Sequence, residues 1–247
     1  MPLYRTYFRR LYDIIERVVD SQGQQIETAA GWMADSLIDD GIVHLFGSGH
    51  SHMVAEEVFH RAGSLLPLNP MLDANLTVFG LVNATLLERT TGYGKVVVGS
   101  HDIRAGEVVI VVSNSGVNPV PVEVALESKA KGARTVGVTS AAHYKDAPAR
   151  SSDGRHLSAV VDLTIDTFVP LGDALIPIPG VDAPVGGVSS AVGIAIVNAL
   201  VVEVAEIMIK RGVEPPVIPS MNVPGGDERM AALVERYSSR LPLLRRA

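Results

Sequence analysis

Two short stretches hold the residue types that could do chemistry. One is Gly47-Ser48-Gly49-His50-Ser51. The other is Ser113-Asn114-Ser115-Gly116, with Asn118 just beyond. Each follows an apolar run, Gly41–Phe46 (GIVHLF) and Val108–Val112, and each precedes apolar residues at helical spacing. A strand that hands over to a helix through such a loop presents free N–H groups, hydroxyls and the positive end of a helix dipole. That combination suits a small anion such as phosphate. Gly116 lets the backbone come close to the ligand. Ser and Asn are also preferred helix caps, so one such loop alone reads equally well as a capped helix start. Two in one chain, on strands expected to be neighbours, weigh more.

Acids and imidazoles follow the first loop. Ala55-Glu56-Glu57 lies on its helix, and His50, His52 and His60 are close by. A carboxylate beside an anion loop is placed to take a proton from carbon next to a carbonyl, and an imidazole could move the second proton. His52 and Glu56 stand four apart, a spacing able to hold a metal, but two ligands do not make a site and no H-E-x-x-H occurs. No metal or other cofactor is therefore expected. The first loop also lacks the last glycine of G-x-G-x-x-G, since Ser51 and His52 stand there, so a nicotinamide dinucleotide is not invoked. Asp166 and Asp173 could meet sugar hydroxyls, and turn chemistry explains them as well.

The positioning elements come next. Val108–Ser113 is nearly all β-branched without alternation, as in a strand covered on both faces. Strands are also expected at Gly41–Phe46, Leu65–Leu68, Arg134–Ser140 and Ala159–Ile165. Helices are expected over His52–Ala62, Leu76–Arg89, Val120–Lys131, Ala191–Lys210 and Glu228–Arg240. Ser189 or Ser190 would cap the long Ala191–Lys210 helix. Residues Leu3–Asp39 read as amphipathic helix, divided in two by Gly23. Thr90–Ile103 reads as polar loop, Ala141–His156 as surface loop with a mobile lid as the alternative, and Ala174–Gly187 as an edge hairpin or arm. Alternating strands and helices give an α/β doubly wound, Rossmann- or flavodoxin-like parallel sheet in one domain. Within it, 1–40 is a helical segment, 41–211 the core, and 212–247 an extended arm with a last helix.

Bulk properties set limits. The 247 residues are 47% hydrophobic and 19% charged, which describes a compact globular chain. The net charge of −6 argues against a nucleic-acid partner held through phosphates. With no cysteine there is no disulfide, thiolate metal site or thiol nucleophile. The N-terminus is charged throughout, unlike a signal peptide, and the run Val192–Val202 is too short to span a bilayer. A cytoplasmic protein without membrane partners is expected.

Taken together, the two loops and the Ala55-Glu56-Glu57 triplet resemble the sugar-isomerase (SIS) domain, in its phosphoheptose-isomerase-like branch. The resemblance runs from about Leu37 to Lys210. It implies a five-stranded parallel sheet between helices. It also implies a homodimer or homotetramer with a sugar-phosphate site at the subunit interface. Ser48, Ser51, Ser113, Asn114, Ser115 and Asn118 would then hold the substrate and its phosphate. Glu57 would be the base, with Glu56 as the alternative. The catalytic His of phosphoheptose isomerases aligns with Asn198, which cannot serve as acid or base at neutral pH. The second proton carrier is therefore open among His50, His52, His60, His101 and His143, and His52 is our choice. Three functions follow from the resemblance: an aldose–ketose isomerase working through an enediol, a phosphosugar lyase or etherase, and a non-catalytic phosphosugar sensor.

Overall fold

The computed structural model describes residues 2–80, 83–145 and 147–246. Its centre is a parallel sheet of β1 (Val43–Gly47), β2 (Leu68–Pro70), β3 (Val108–Val112), β4 (Arg134–Thr139) and β5 (Leu163–Asp166), in the order β2-β1-β3-β4-β5. Every pair in it is parallel. This is the α/β architecture anticipated above. β1 and β3 are buried along their whole length, as their unbroken apolar runs require. Val108, Ile110 and Val112 face one layer, with α1 (Leu3–Ile38), α2 (His52–Val58) and α7 (Ser189–Lys210). Val109 and Val111 face the other, with α4 (Tyr93–Gly99) and α5 (Pro119–Ala130). Two smaller helices, α3 (Ala84–Glu88) and α6 (Ala141–Tyr144), lie in connections. The expected hairpin is present as antiparallel β6 (Ala174–Ile176) and β7 (Val185–Gly187).

Several local expectations are corrected. Gly23 does not divide the first helix; α1 runs unbroken over 36 residues. A mid-helix glycine costs about 1 kcal/mol relative to alanine. Val18, Ala29, Ala30, Met33 and Leu37, buried in the core that α1 shares with α7, outweigh that. The segment read as loop contains α4. Its start is fixed by the distant Glu123, whose carboxylate accepts from the N–H groups of Gly92 at 2.7 Å and Gly94 at 2.9 Å. The helix expected over Leu76–Arg89 is only α3, held by Asn83 Oδ1 at the Thr85 N–H, 3.0 Å away. Residues 81 and 82 inside that span lie outside the described residues, as does 146 in the later loop. α2 stops at Val58 because Phe59 is extended and His60 takes a positive φ of 52°. β2 begins at Leu68 and ends on Pro70, which an edge strand accommodates. β5 is shortened by a 3-10 turn at Leu157–Ala159.

α7 is longer than the apolar run first noted. Among the described helices it is the one long and apolar enough to cross a bilayer. Val192, Ile196, Val197, Leu200, Val201, Val204 and Met208 are buried in the same layer as α1.

At the amino ends of the strands, α8 (Gly226–Tyr237) and the residues after it close a third apolar cluster over Ile42 and Leu66. Arg240 from this tail donates to Glu107 Oε1 at 2.8 Å. The same carboxylate accepts from His44 Nε2 at 3.0 Å and from the N–H groups of Ile42 and Arg104. Asn69 Nδ2 lies 2.9 Å from His44 Nδ1 and 3.3 Å from His101 Nδ1. Burial raises the Glu107 carboxyl, but the hydrogen bonds from His44, Arg104 and Arg240 outweigh it, so its pKa falls below the ordinary value. His101 is pushed down to about 4, first by burial, then by His44 and Lys131.

Candidate functional site

The two loops leave the sheet side by side. Gly47 is the ladder partner of Val112, and each ends its strand. The order β2-β1-β3 makes this the place where chain connections diverge to opposite faces, where open α/β sheets bind ligands.

The first loop turns immediately after β1. A Cβ on Gly47 would sit 2.3 Å from the Ser51 carbonyl oxygen, so only glycine permits the turn. Gly49–Ser51 forms a 3-10 turn, with the Ser51 N–H donating to the Ser48 carbonyl at 3.0 Å. Ser48 is buried, and its hydroxyl donates to Glu88 Oε1 at 2.8 Å. His50 is exposed.

In the second loop Ser113 Oγ accepts from the Gly116 N–H at 3.2 Å. Gly116 has a φ of 62°, and a Cβ there would come within 2.8 Å of Thr139 Oγ1. Asn114 is held by Thr167, whose hydroxyl lies 3.3 Å from Asn114 Oδ1, and by His143 Nε2, 3.1 Å from Asn114 Nδ2. Ser115 is half-buried. Asn118 is the N-cap of α5, yet its side chain accepts from Arg150 Nη1 at 3.0 Å instead of capping the helix. Pro119 and Pro121 lack N–H groups, so the first turn of α5 offers fewer donors than the strand-loop-helix pattern promises. The loop amides and hydroxyls must supply most of them.

A narrow crevice of about 10 Å³ lies between the loops, lined by Ser51, Asn114, Thr167, Ser189, Ser190 and Gly193. Thr167 and the α7 serines join the site through the fold, and no local pattern marked them. Neither serine caps α7. Asp173 does so, with Oδ1 accepting from the N–H groups of Val188 at 3.1 Å and Ser189 at 2.7 Å. Asp166 Oδ1 likewise accepts from the N–H groups of Ala141 and Phe168. Both acids therefore do turn and cap chemistry. A separate cavity of about 530 Å³ opens beside Gly49 and His50, bounded by Val78, Gly80, Asn83, Ala84, Thr85 and Glu88.

Of the proposed acid–base groups, His52 is buried under the first loop. Its Nδ1 bonds the Gly49 carbonyl and its Nε2 lies 3.5 Å from Glu56 Oε1. Glu57 is ion-paired with Arg61 one turn on. The Asn198 amide donates to the Ile194 carbonyl of its own helix at 3.0 Å. Among the described residues no group of three or more His, Cys, Asp or Glu is placed to hold a metal.

Comparison with known proteins agrees with this fold. The pattern described as the SIS domain matches residues 6–140. The chain is 40% identical over 239 residues to the UPF0309 protein of Geobacillus kaustophilus, covering 96% of this chain and 95% of that one. It is 37% identical over 232 residues to the UPF0309 protein of Listeria innocua, covering 94% of both. Its fold is similar to phosphoheptose isomerase from Neisseria gonorrhoeae, with a TM-score of 0.56, 16% identity, and coverage of 82% of this chain and 97% of that one. It is also similar to the Vibrio vulnificus NanR protein complexed with ManNAc-6P, with a TM-score of 0.51, 13% identity, and coverage of 96% and 69%.

Proposed function

Because the chain belongs to the SIS-domain family, we propose that it binds a phosphorylated sugar and acts as an aldose–ketose isomerase. The observation that carries this reading is the pairing of Gly47 with Val112, which sets two small-residue loops side by side at the carboxyl end of the sheet. Ser51, Ser113, Asn114 and Ser115, with loop N–H groups, receive the phosphate; Ser48 and Asn118 shape the loops around it. Glu57 removes the proton next to the carbonyl, giving an enediol, once substrate draws it from Arg61. His52 is the second carrier. With Nδ1 committed to Gly49, it works through Nε2. The neighbouring folds that support this are a phosphoheptose isomerase and a protein complexed with ManNAc-6P. The setting we propose is the cytoplasm, with a homodimer or homotetramer placing the site at a subunit interface.

One observation favours a second reading. Asn198 donates its amide to its own helix and cannot serve as a general acid or base at neutral pH, so a sensor that binds without turnover is the alternative. Thermal shift with sugar phosphates, followed by NMR in D₂O, separates the two. Solvent deuterium entering the sugar, and lost in Glu57→Gln, supports the isomerase. Binding without exchange supports the sensor. A Ser113→Ala/Ser115→Ala chain that binds as well as wild type removes the phosphate site.

A further inference from the structure

The crevice between the serine loops holds about 10 Å³, room for about one water, so a phosphate would sit at its mouth and a sugar outside it. The cavity next to it holds about 530 Å³, within the range of roughly 300–1,000 Å³ that small-ligand sites occupy. One loop borders both. Ser51 lines the crevice, Gly49 and His50 line the cavity, and consecutive Cα atoms are only about 3.8 Å apart. The two openings therefore lie on either side of one short turn.

The cavity wall differs from the crevice in charge. It offers the Glu88 carboxylate, the His50 ring, the Thr85 side chain and two glycine backbones, and among the described residues lining it none is Lys or Arg. Such a wall repels a phosphate and accepts hydrogen bonds from hydroxyl groups. Glu88 is held there from the first loop. Ser48 donates to Oε1 at 2.8 Å, which leaves Oε2 for another donor. The Glu123 carboxylate pins the backbone just beyond α3 to α5, the helix that follows the phosphate loop. We propose that this cavity is the subsite for the hydroxylated end of the sugar phosphate, and that Glu88 is the acceptor that reads its hydroxyls. The assignment rests on the phosphosugar reading above.

The test uses the full chain with inorganic phosphate, glucose 6-phosphate, fructose 6-phosphate and ribose 5-phosphate, by calorimetry. Wild type should bind at least one sugar phosphate more tightly than inorganic phosphate. Glu88→Gln keeps the Ser48 contact and should lose about tenfold or more on that sugar phosphate, as expected for a hydrogen bond to a charged acceptor. It should stay within about twofold of wild type on inorganic phosphate. Ala84→Leu should do the same by filling the cavity, and melting curves confirm that both variants fold. If both variants bind the sugar phosphates as wild type does, the subsite is wrong. If wild type binds inorganic phosphate but no sugar phosphate more tightly, the subsite is also wrong while the phosphate loops stand. If wild type binds none of the four, the phosphosugar reading itself has failed.

Discussion

The Arg240 guanidinium and the Glu107 carboxylate meet 2.8 Å apart at the amino end of the sheet, with Glu107 almost fully enclosed. Arg240 comes from the tail after α8, Glu107 from the residue before β3. Glu107 also takes the N–H groups of Ile42 and Arg104 and the His44 ring. The pair thus joins the last part of the chain to the centre of the sheet, at the end opposite the two serine loops.

Glu107→Ala leaves an imidazole and two N–H groups without their acceptor and leaves the Arg240 guanidinium only the exposed Asp102 as partner. Breaking one side of a buried pair costs about 3–5 kcal/mol. The expected result is a matching loss in denaturant midpoint. Arg240→Ala in the same chain should recover part of it, because the charge that lost its buried partner is gone; a fully additive double variant would contradict the pairing.

The same cluster sets acid sensitivity. His101 sits at about 4 in the folded chain against an ordinary 6.5, so the unfolded chain holds more protons between those values. Its contribution is fully present above 6.5 and is lost as pH falls toward 4. Glu107, also lowered, keeps its contribution above its ordinary 4.5 and loses it at lower pH. Melting temperature should therefore fall from pH 7 to pH 4. His101→Asn should flatten the upper part of that fall, and an unchanged slope would count against it.

Gly47→Ala places a methyl carbon 2.3 Å from the Ser51 oxygen. Overpacking of this kind costs about 1–3 kcal/mol, here together with distortion of the first loop. Melting and phosphate titration should both deteriorate.

Gly23→Ala should do the reverse. A Cβ there meets nothing within 4 Å, and α1 is regular through the position. Stability should rise by about 0.5–1 kcal/mol with ligand binding unchanged.

Ser113→Ala and Ser115→Ala should differ. Ser113 Oγ holds the Gly116 N–H, so its loss lowers stability by about 1 kcal/mol as well as weakening phosphate. Ser115→Ala should leave melting unchanged and weaken inorganic phosphate by about tenfold.

Much of this was legible in the chain because its signals are local. Val108–Val112 announces a doubly covered strand by composition, and the Gly/Ser loops announce themselves by side-chain size. What was not legible depends on partners far away in sequence. Glu123 starts α4 and Asp173 caps α7. Neither residue lies in the segment it organises, so no window over 90–103 or 189–191 contains the cause. Gly23 misled for the opposite reason, since a weak local preference lost to packing along the whole of α1. Pro121 was visible, but its effect on the donors of α5 needed the helix start to be fixed at Pro119. Glu88 has no local signature either, because its place comes from the bond that the distant Ser48 donates to it.

The strand order has a consequence for biosynthesis. β1 emerges from the ribosome long before β3, and its sheet partner on the site side does not exist until Val112 has been made. The two turns proposed to hold the anion are therefore apart in every shorter nascent chain, and on that proposal neither recruits ligand on its own. Added phosphate ester should protect the finished chain against proteolysis and leave truncated chains ending before β3 as susceptible as before.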